Sequence, residues 1–197
     1  MSATAQLART RMSDSTERQR SADTDGEAVP ENAVLDRIRG CVESVSLAFE
    51  RWDDPHVRGP GLYVVVERDS TAAFSDPIGV NRWPVEDCRS VFGHSGALFE
   101  TARSVADTCD GAVVVRRDGT IRPAMVRLRQ LTTAEEATGE PLPYADWMGT
   151  RHMSALETST RDAVFAVVTL SEENGRVTVF RDGDYDDRQR DELVEKR

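Results

Sequence analysis

Three short stretches of this 197-residue chain put reactive side chains beside backbone that can approach a ligand. Gly149-Thr150-Arg151-His152 sets a glycine, a hydroxyl, a guanidinium and an imidazole in four consecutive positions, then runs into a helical pattern. The glycine admits close backbone approach. Thr150, Arg151 and the free N–H groups of a helix start all donate to phosphate oxygens. Cations sit poorly against the positive end of a helix unless an anion joins them, so Arg151-His152 at that place favours a ligand. Asp110-Gly111-Ala112 opens one apolar run and Ser171-Glu172-Glu173 closes another. Taken singly, Asp110-Gly111 is an ordinary turn and Glu172-Glu173-Asn174-Gly175 a solvated hairpin turn. Taken together, each stretch sits where a strand meets a turn or a helix, the usual place for ligands in open sheets.

The elements that position these stretches follow from periodicity. Val34, Leu35, Ile38, Val42, Val45, Leu47, Phe49 and Trp52 recur at helical spacing and predict one amphipathic helix over about 31–52. Leu62-Tyr63-Val64-Val65-Val66 predicts a buried strand after the Gly59-Pro60-Gly61 turn. Residues 68–84 read as irregular, 85–92 as a helix and 97–108 as a second helix. Residues 112–116 and 121–128 read as a hairpin with Asp118-Gly119 at its turn. Residues 130–146 form a long loop, and loops of that length inside a domain are more often functional than idle. A helix to about residue 160, a central strand over 163–170 and a strand over 176–180 complete the pattern. The expected fold class is α/β, a mixed twisted sheet flanked by helices. Residues 1–30 are expected to be a disordered extension, 31–183 a single domain, and 184–197 a charged tail forming at most a frayed helix.

Composition narrows the function. Net charge is −10, with 24 Arg but a single Lys (Lys196) and 19 Asp among 35 acidic residues. Abundant carboxylates with almost no Lys suit a protein kept soluble in concentrated salt, where screening is strong. A GC-rich genome, whose codons favour Arg over Lys, gives the same bias. Net repulsion from phosphate backbones argues against nucleic acid as a partner. No apolar run approaches the roughly 20 residues that span a bilayer, and a signal-peptide core is missing, so no membrane partner and a cytoplasmic location are expected. Cys41, Cys88 and Cys109 are widely spaced and read as buried free thiols rather than a zinc site.

In order and placement, the three stretches resemble the diadenylate cyclase domain. The DGA stretch precedes a strand hairpin, GTRH opens a helix, and an apolar strand ends in SEE-x-G before another strand. The resemblance spans roughly residues 59–183. The acidic composition and the N-terminal helix look most like the soluble archaeal, haloarchaeal-type branch. Two positions depart from the family's pattern: Met153 stands where a second Arg usually follows the His, and Cys109 stands where many relatives have His.

The resemblance implies condensation of two ATP into cyclic di-AMP with release of pyrophosphate, a divalent metal (Mn²⁺ or Mg²⁺), and a homodimer, since one domain holds one ATP. Asp110 would bind the metal, contact the attacking 3′-hydroxyl, or both, and Gly111 and Ala112 would leave room for ribose and phosphate. Gly149, Thr150 and Arg151 would cradle the triphosphate. His152 would donate to a phosphate oxygen or ligate the metal. Ser171 would bind phosphate, and Glu172 or Glu173 would supply a carboxylate to the metal, with Glu173 preferred. Adenine would lie against the strand after the hairpin, at Arg127 and Leu128. The expected catalytic set is Asp110, Arg151 and His152; the metal set is Asp110, His152 and Glu173. A non-catalytic nucleotide- or cyclic di-AMP-binding protein that retains the fold is the alternative, to which Met153 points, and a partner protein without a ligand is a third reading.

Overall fold

The apolar run that opens at Leu62 becomes β1 (Leu62–Glu67), which is buried along its whole length because both of its faces are covered. In the computed structural model, which describes residues 30–94, 96–133, 135 and 141–195, Val64 and Val66 face one core and Tyr63 and Val65 the other. Strand alternation thus feeds two hydrophobic layers from a single strand. The same holds for β3 (Val113–Arg116) and β5 (Val164–Leu170), which flank β1, parallel and antiparallel respectively. β6 (Val177–Arg181) and β7 (Asp184–Arg188) extend the sheet antiparallel, giving the order β3-β1-β5-β6-β7.

Helix α1 (Glu31–Ala48) buries Val34, Ile38, Val42 and Val45 on the first layer. Beside it, α2 (Ala97–Thr108) buries Leu98, Ala102, Val105 and Ala106, and α4 (Arg190–Glu195) adds Leu193. On the opposite face α3 (Thr150–Ser159) buries Ala155 and Leu156 against Val65, Val114, Val167 and Phe180. The mixed α/β architecture expected from the sequence is therefore present.

Register sets up the site. Val64 pairs with Val113 in parallel and Leu62 with Leu170 antiparallel. The starts of β1 and β3 and the end of β5 consequently share one edge of the sheet. Asp110-Gly111-Ala112, Gly61 and Ser171 all lie at that edge.

Several elements differ from the sequence reading, each for a local reason. The first helix stops at Ala48, where the carbonyl of Ser46 accepts from both Phe49 N and Trp52 Nε1. Residues 68–84 are not irregular: a 3₁₀ turn (Thr71–Ala73) leads into β2 (Ser75–Arg82). Residues 85–92 are not a helix. They form turns whose backbone is spent on residues 119–121, through Val91 N to Gly119 O and Ile121 N to Arg89 O at 2.9 Å each. The hairpin turn at Asp118-Gly119 exists, but its return strand is broken at Pro123, and β4 (Ala124–Leu128) pairs with β2 in a separate two-stranded sheet. Val126 and Ala112 still exchange both backbone hydrogen bonds, at 2.7 and 3.0 Å. Between Asp184 and Glu195 the chain forms β7 (Asp184–Arg188) and α4 instead of at most a frayed helix. Charge misled there because acidic residues suit an edge strand. Of the three unbridged thiols only Cys88 is buried; Cys41 and Cys109 are half-buried. The extension expected over residues 1–30 falls, apart from Pro30, outside the described residues. No helix among the described residues is long and apolar enough to cross a membrane.

Candidate functional site

The site is organised around the Glu172 carboxylate. It is only 13% exposed, and it holds two guanidinium groups at once: Arg151 on one oxygen and Arg58 on the other. Arg151 reaches it from the start of α3, and Arg58 from the loop before β1. Gly61 makes the approach possible, since a Cβ there would collide with both Glu172 and Arg151. Around this cluster lies an open cavity of about 300 Å³, lined by Arg58, Trp147, the 149–152 stretch and residues 171–174 with Arg176.

One wall of the cavity is the N-terminus of α3. Gly149 occupies the N-cap position in an extended conformation, and no side chain caps the helix among the described residues. The first turn carries no acidic residue. Its unpaired N–H groups and the positive end of its dipole therefore face the cavity without internal compensation. A Cβ on Gly149 would meet nothing within 4 Å, so the missing side chain leaves open room for a ligand. Thr150 is exposed beside it.

The opposite wall is the turn after β5. Ser171 is buried; its N–H donates to Arg176 O at 2.9 Å, and its Oγ accepts from Glu173 N at 3.3 Å. Asn174 Oδ1 accepts from Arg176 N at 3.1 Å. These bonds fix the turn and leave Glu173 exposed on the cavity rim. Arg176 pairs with Asp187 of β7 and lays its guanidinium 4.2 Å from the centre of the Trp147 ring. Three arginines against two glutamates line the cavity, and with Asp187 behind Arg176 the cluster is balanced in charge, in a chain of net charge −10. What it offers an anion is local: spare guanidinium N–H donors beside a helix N-terminus.

His152 is packed, not presented. Its ring lies edge-on to Trp147 at 5.1 Å and tilted against Phe180 at 6.4 Å, and its Nε2 is buried without a partner among the described residues. Burial, reinforced by the positive charges of Arg151 and Arg176, pushes its pKa down to about 4. The imidazole is therefore neutral at pH 7 and adds no charge to the cavity.

The remaining expected residues stand elsewhere on the same edge. Asp110 is exposed at the entry to β3, and its backbone carbonyl accepts from Asn81 Nδ2 at 2.8 Å. With β1 between β3 and β5, it stands about 10 Å from the Ser171 turn by ordinary strand spacing. Gly111 has φ +104° and faces Ile78 and Val126; Ala112 is buried. Leu128 is half-buried at the end of β4, while Arg127 is exposed, 3.8 Å from Asp76. The cavity thus brings together Gly149, Thr150, Arg151, His152, Ser171 and Glu173; Asp110, Gly111, Ala112 and Leu128 lie outside its lining.

Asp110, His152 and Glu173 do not form a preassembled ion site. Among the described residues no three His, Cys, Asp or Glu side chains gather to hold a metal. The donor set does fit a hard divalent ion held by one carboxylate and by substrate phosphates, the habit of Mg²⁺. Glu173 is the carboxylate so placed. Arg58, Asn174 and Arg176 are cavity residues that sequence reasoning missed. Arg58 sits in a loop with no motif around it, and Arg176 read only as the first residue of a strand.

Comparison with known proteins agrees with part of this picture. Residues 94–185 match the model of the family described as DisA bacterial checkpoint controller nucleotide-binding (DAC). All three stretches lie inside that segment; Arg58 and β1 precede it. Among solved structures, the chain is similar to a hypothetical membrane spanning protein from Bacillus cereus, with 22% identity and a TM-score of 0.50 over 78% of this chain. The chain spans 62% of that protein's length. It is also similar to a double mutant of DacA from Staphylococcus aureus, with 19% identity and a TM-score of 0.49 over 84% of this chain and 93% of that one. No curated protein matches the chain.

Proposed function

We propose that this chain is a diadenylate cyclase, joining two ATP into cyclic di-AMP with loss of two pyrophosphates between two copies of itself. The observation that carries the reading is the arginine-lined cavity at the uncapped start of α3, a helix that lies inside the segment matching the DAC family. In each of two equivalent steps a ribose 3′-oxygen bonds to the α-phosphorus of the other ATP. The bond from that phosphorus to the β-phosphate bridge breaks, and the hydroxyl proton leaves.

The residues divide the work. Thr150, Arg151 and the N–H groups that follow Gly149 hold the triphosphate and stabilise charge as pyrophosphate departs. Ser171 closes the phosphate side. His152, neutral and wedged between Trp147 and Phe180, fixes the orientation of the first turn of α3. Asp110 contacts the 3′-hydroxyl of its own ATP and accepts the proton. Gly111 and Ala112 shape the ribose contact, and Leu128 offers an apolar surface to adenine. Glu173, together with the phosphates, would hold a Mn²⁺ or Mg²⁺ ion, which when bound neutralises phosphate charge.

Because one copy offers one nucleotide site, a second copy related by two-fold symmetry must present its own. The test is incubation of the protein with ATP and Mn²⁺ or Mg²⁺ in concentrated KCl, with chromatographic detection of product. Cyclic di-AMP is expected from the wild type and none from Asp110→Asn. Saturable ATP or cyclic di-AMP binding without product would instead support a non-catalytic binding protein, and no binding at all a protein that uses the fold without a nucleotide.

A further inference from the structure

We propose that Arg58 is a specificity residue of this site, binding the outer phosphates of the nucleotide alongside Arg151. The inference rests on the nucleotide reading above, but its chemistry is narrower: it selects a polyphosphate tail over a monophosphate.

Two facts about Arg58 would not normally occur together. Its side chain is 81% exposed, which leaves the guanidinium free to meet a solute. Its backbone, however, is locked to the site. Gly59 N, the next amide, donates to Glu172 O at 2.9 Å, so the loop before β1 is tied to the turn after β5. Trp52 secures the same junction. Its ring fills the space that a Cβ on Gly59 or on Gly175 would need, and its Nε1 donates to Ser46 O at 3.0 Å. Ser46 Oγ in turn donates to Gly175 O at 2.6 Å. An ordinary surface arginine has no such framework beneath it.

Glu172 then sets the direction of the side chain. One carboxylate shared by Arg58 and Arg151 holds the two guanidinium groups side by side on the cavity rim. Two arginines on a single carboxylate carry one net positive charge and spare donors, since each fork offers five N–H groups. The uncapped N-terminus of α3 adds further donors on the same wall. A chain of phosphates has room to bridge these groups; a lone α-phosphate engages only one part of them. Lys would not reproduce the arrangement, because an ammonium lacks the planar fork.

The experiment measures binding of AMP, ATP and inorganic tripolyphosphate by calorimetry to wild type, Arg58→Ala and Arg58→Lys, without reliance on turnover. For Arg58→Ala, ATP and tripolyphosphate affinity should fall roughly ten- to hundredfold while AMP affinity stays within about twofold. Arg58→Lys should recover only part of the loss. Unchanged tripolyphosphate affinity, or an equal loss for AMP, would overturn the assignment. A cyclase indifferent to Arg58 would sink this inference and leave the activity standing. Arg58-dependent tripolyphosphate binding by a protein that makes no cyclic di-AMP would do the reverse.

Discussion

The two ends of the proposed nucleotide site are built in opposite ways. At the 171–176 turn every charged group except the exposed Glu173 is held: Glu172 by two arginines, Arg176 by Asp187 and the Trp147 ring. At Asp110 the backbone is pinned by Asn81 while the side chain stands exposed. A prebuilt anion cradle and an open carboxylate, about 10 Å apart by strand spacing on one sheet edge, suit a reaction whose second substrate arrives on another copy. Phosphate binding needs order before the ligand comes, since donors that must reorganise lose much of their advantage. The nucleophile's end needs access, which the sheet edge leaves open.

The largest effect should come from disabling each end separately. Asp110→Asn and Arg151→Ala should each lower cyclic di-AMP formation by at least about a thousandfold, in the range of losing a proton acceptor or a transition-state donor. Their mixture is the sharper measurement. If each copy holds its own ATP with both groups, a mixed dimer retains one intact pairing: the hydroxyl on the Arg151→Ala copy against the α-phosphate on the Asp110→Asn copy. Mixing two dead proteins should then restore the linear dinucleotide pppApA but not the ring. Recovery of cyclic product, or of nothing under conditions where subunits exchange, would break the contrast between the two ends.

Removing the support beneath the ordered end should have a smaller effect. Trp52 joins the Arg58 loop to the 171–175 turn and stacks edge-on to Phe49 at 4.8 Å. Trp52→Ala should cost about 2–3 kcal/mol, less than a fully buried aromatic because the ring is half-buried. Calorimetry should show a melting temperature lower by roughly 5–10 °C, given about 2–4 °C per kcal/mol at this size. Tripolyphosphate affinity should fall with it, while the Asp110 end keeps its geometry. A stability loss with intact tripolyphosphate binding would separate the framework from the site.

The same contrast explains what could be read from the sequence. The strands of both cores were legible because burial on two faces forces unbroken apolar runs, as in residues 62–66 and 163–170. The 149–152 and 171–173 stretches stood out only jointly, by their order at element ends, since the second alone reads as a solvated turn. Arg58 was not legible, since its place comes from the backbone bond of its neighbour Gly59 to Glu172, more than a hundred residues away. β2 and β7 were hidden by composition: Pro77 and Gly79 in one and three aspartates in the other are edge-strand features that also read as loop. The packing of His152 was not legible either, since no local pattern tells that Trp147 and Phe180 will flank its ring.

That enclosure gives the smallest of the expected effects, and it is readable in the wild-type protein. The folded chain holds His152 at a pKa of about 4, below the ordinary 6.5, mainly because burial disfavours the charged ring. In the unfolded chain the imidazole takes up its proton near the ordinary value. Between those two values the unfolded state therefore binds more protons, and stability rises with pH across that window. The contribution is complete above about pH 6.5, shrinks as pH falls, and is gone near pH 4, where both states are protonated. Thermal melts should show a loss of a few degrees over this window that His152→Asn largely abolishes, since an amide of similar size does not titrate. Were the variant to keep the same slope, the ring would have to be open to water, and the ordered end of the site would be less sealed than its packing against Trp147 and Phe180 implies.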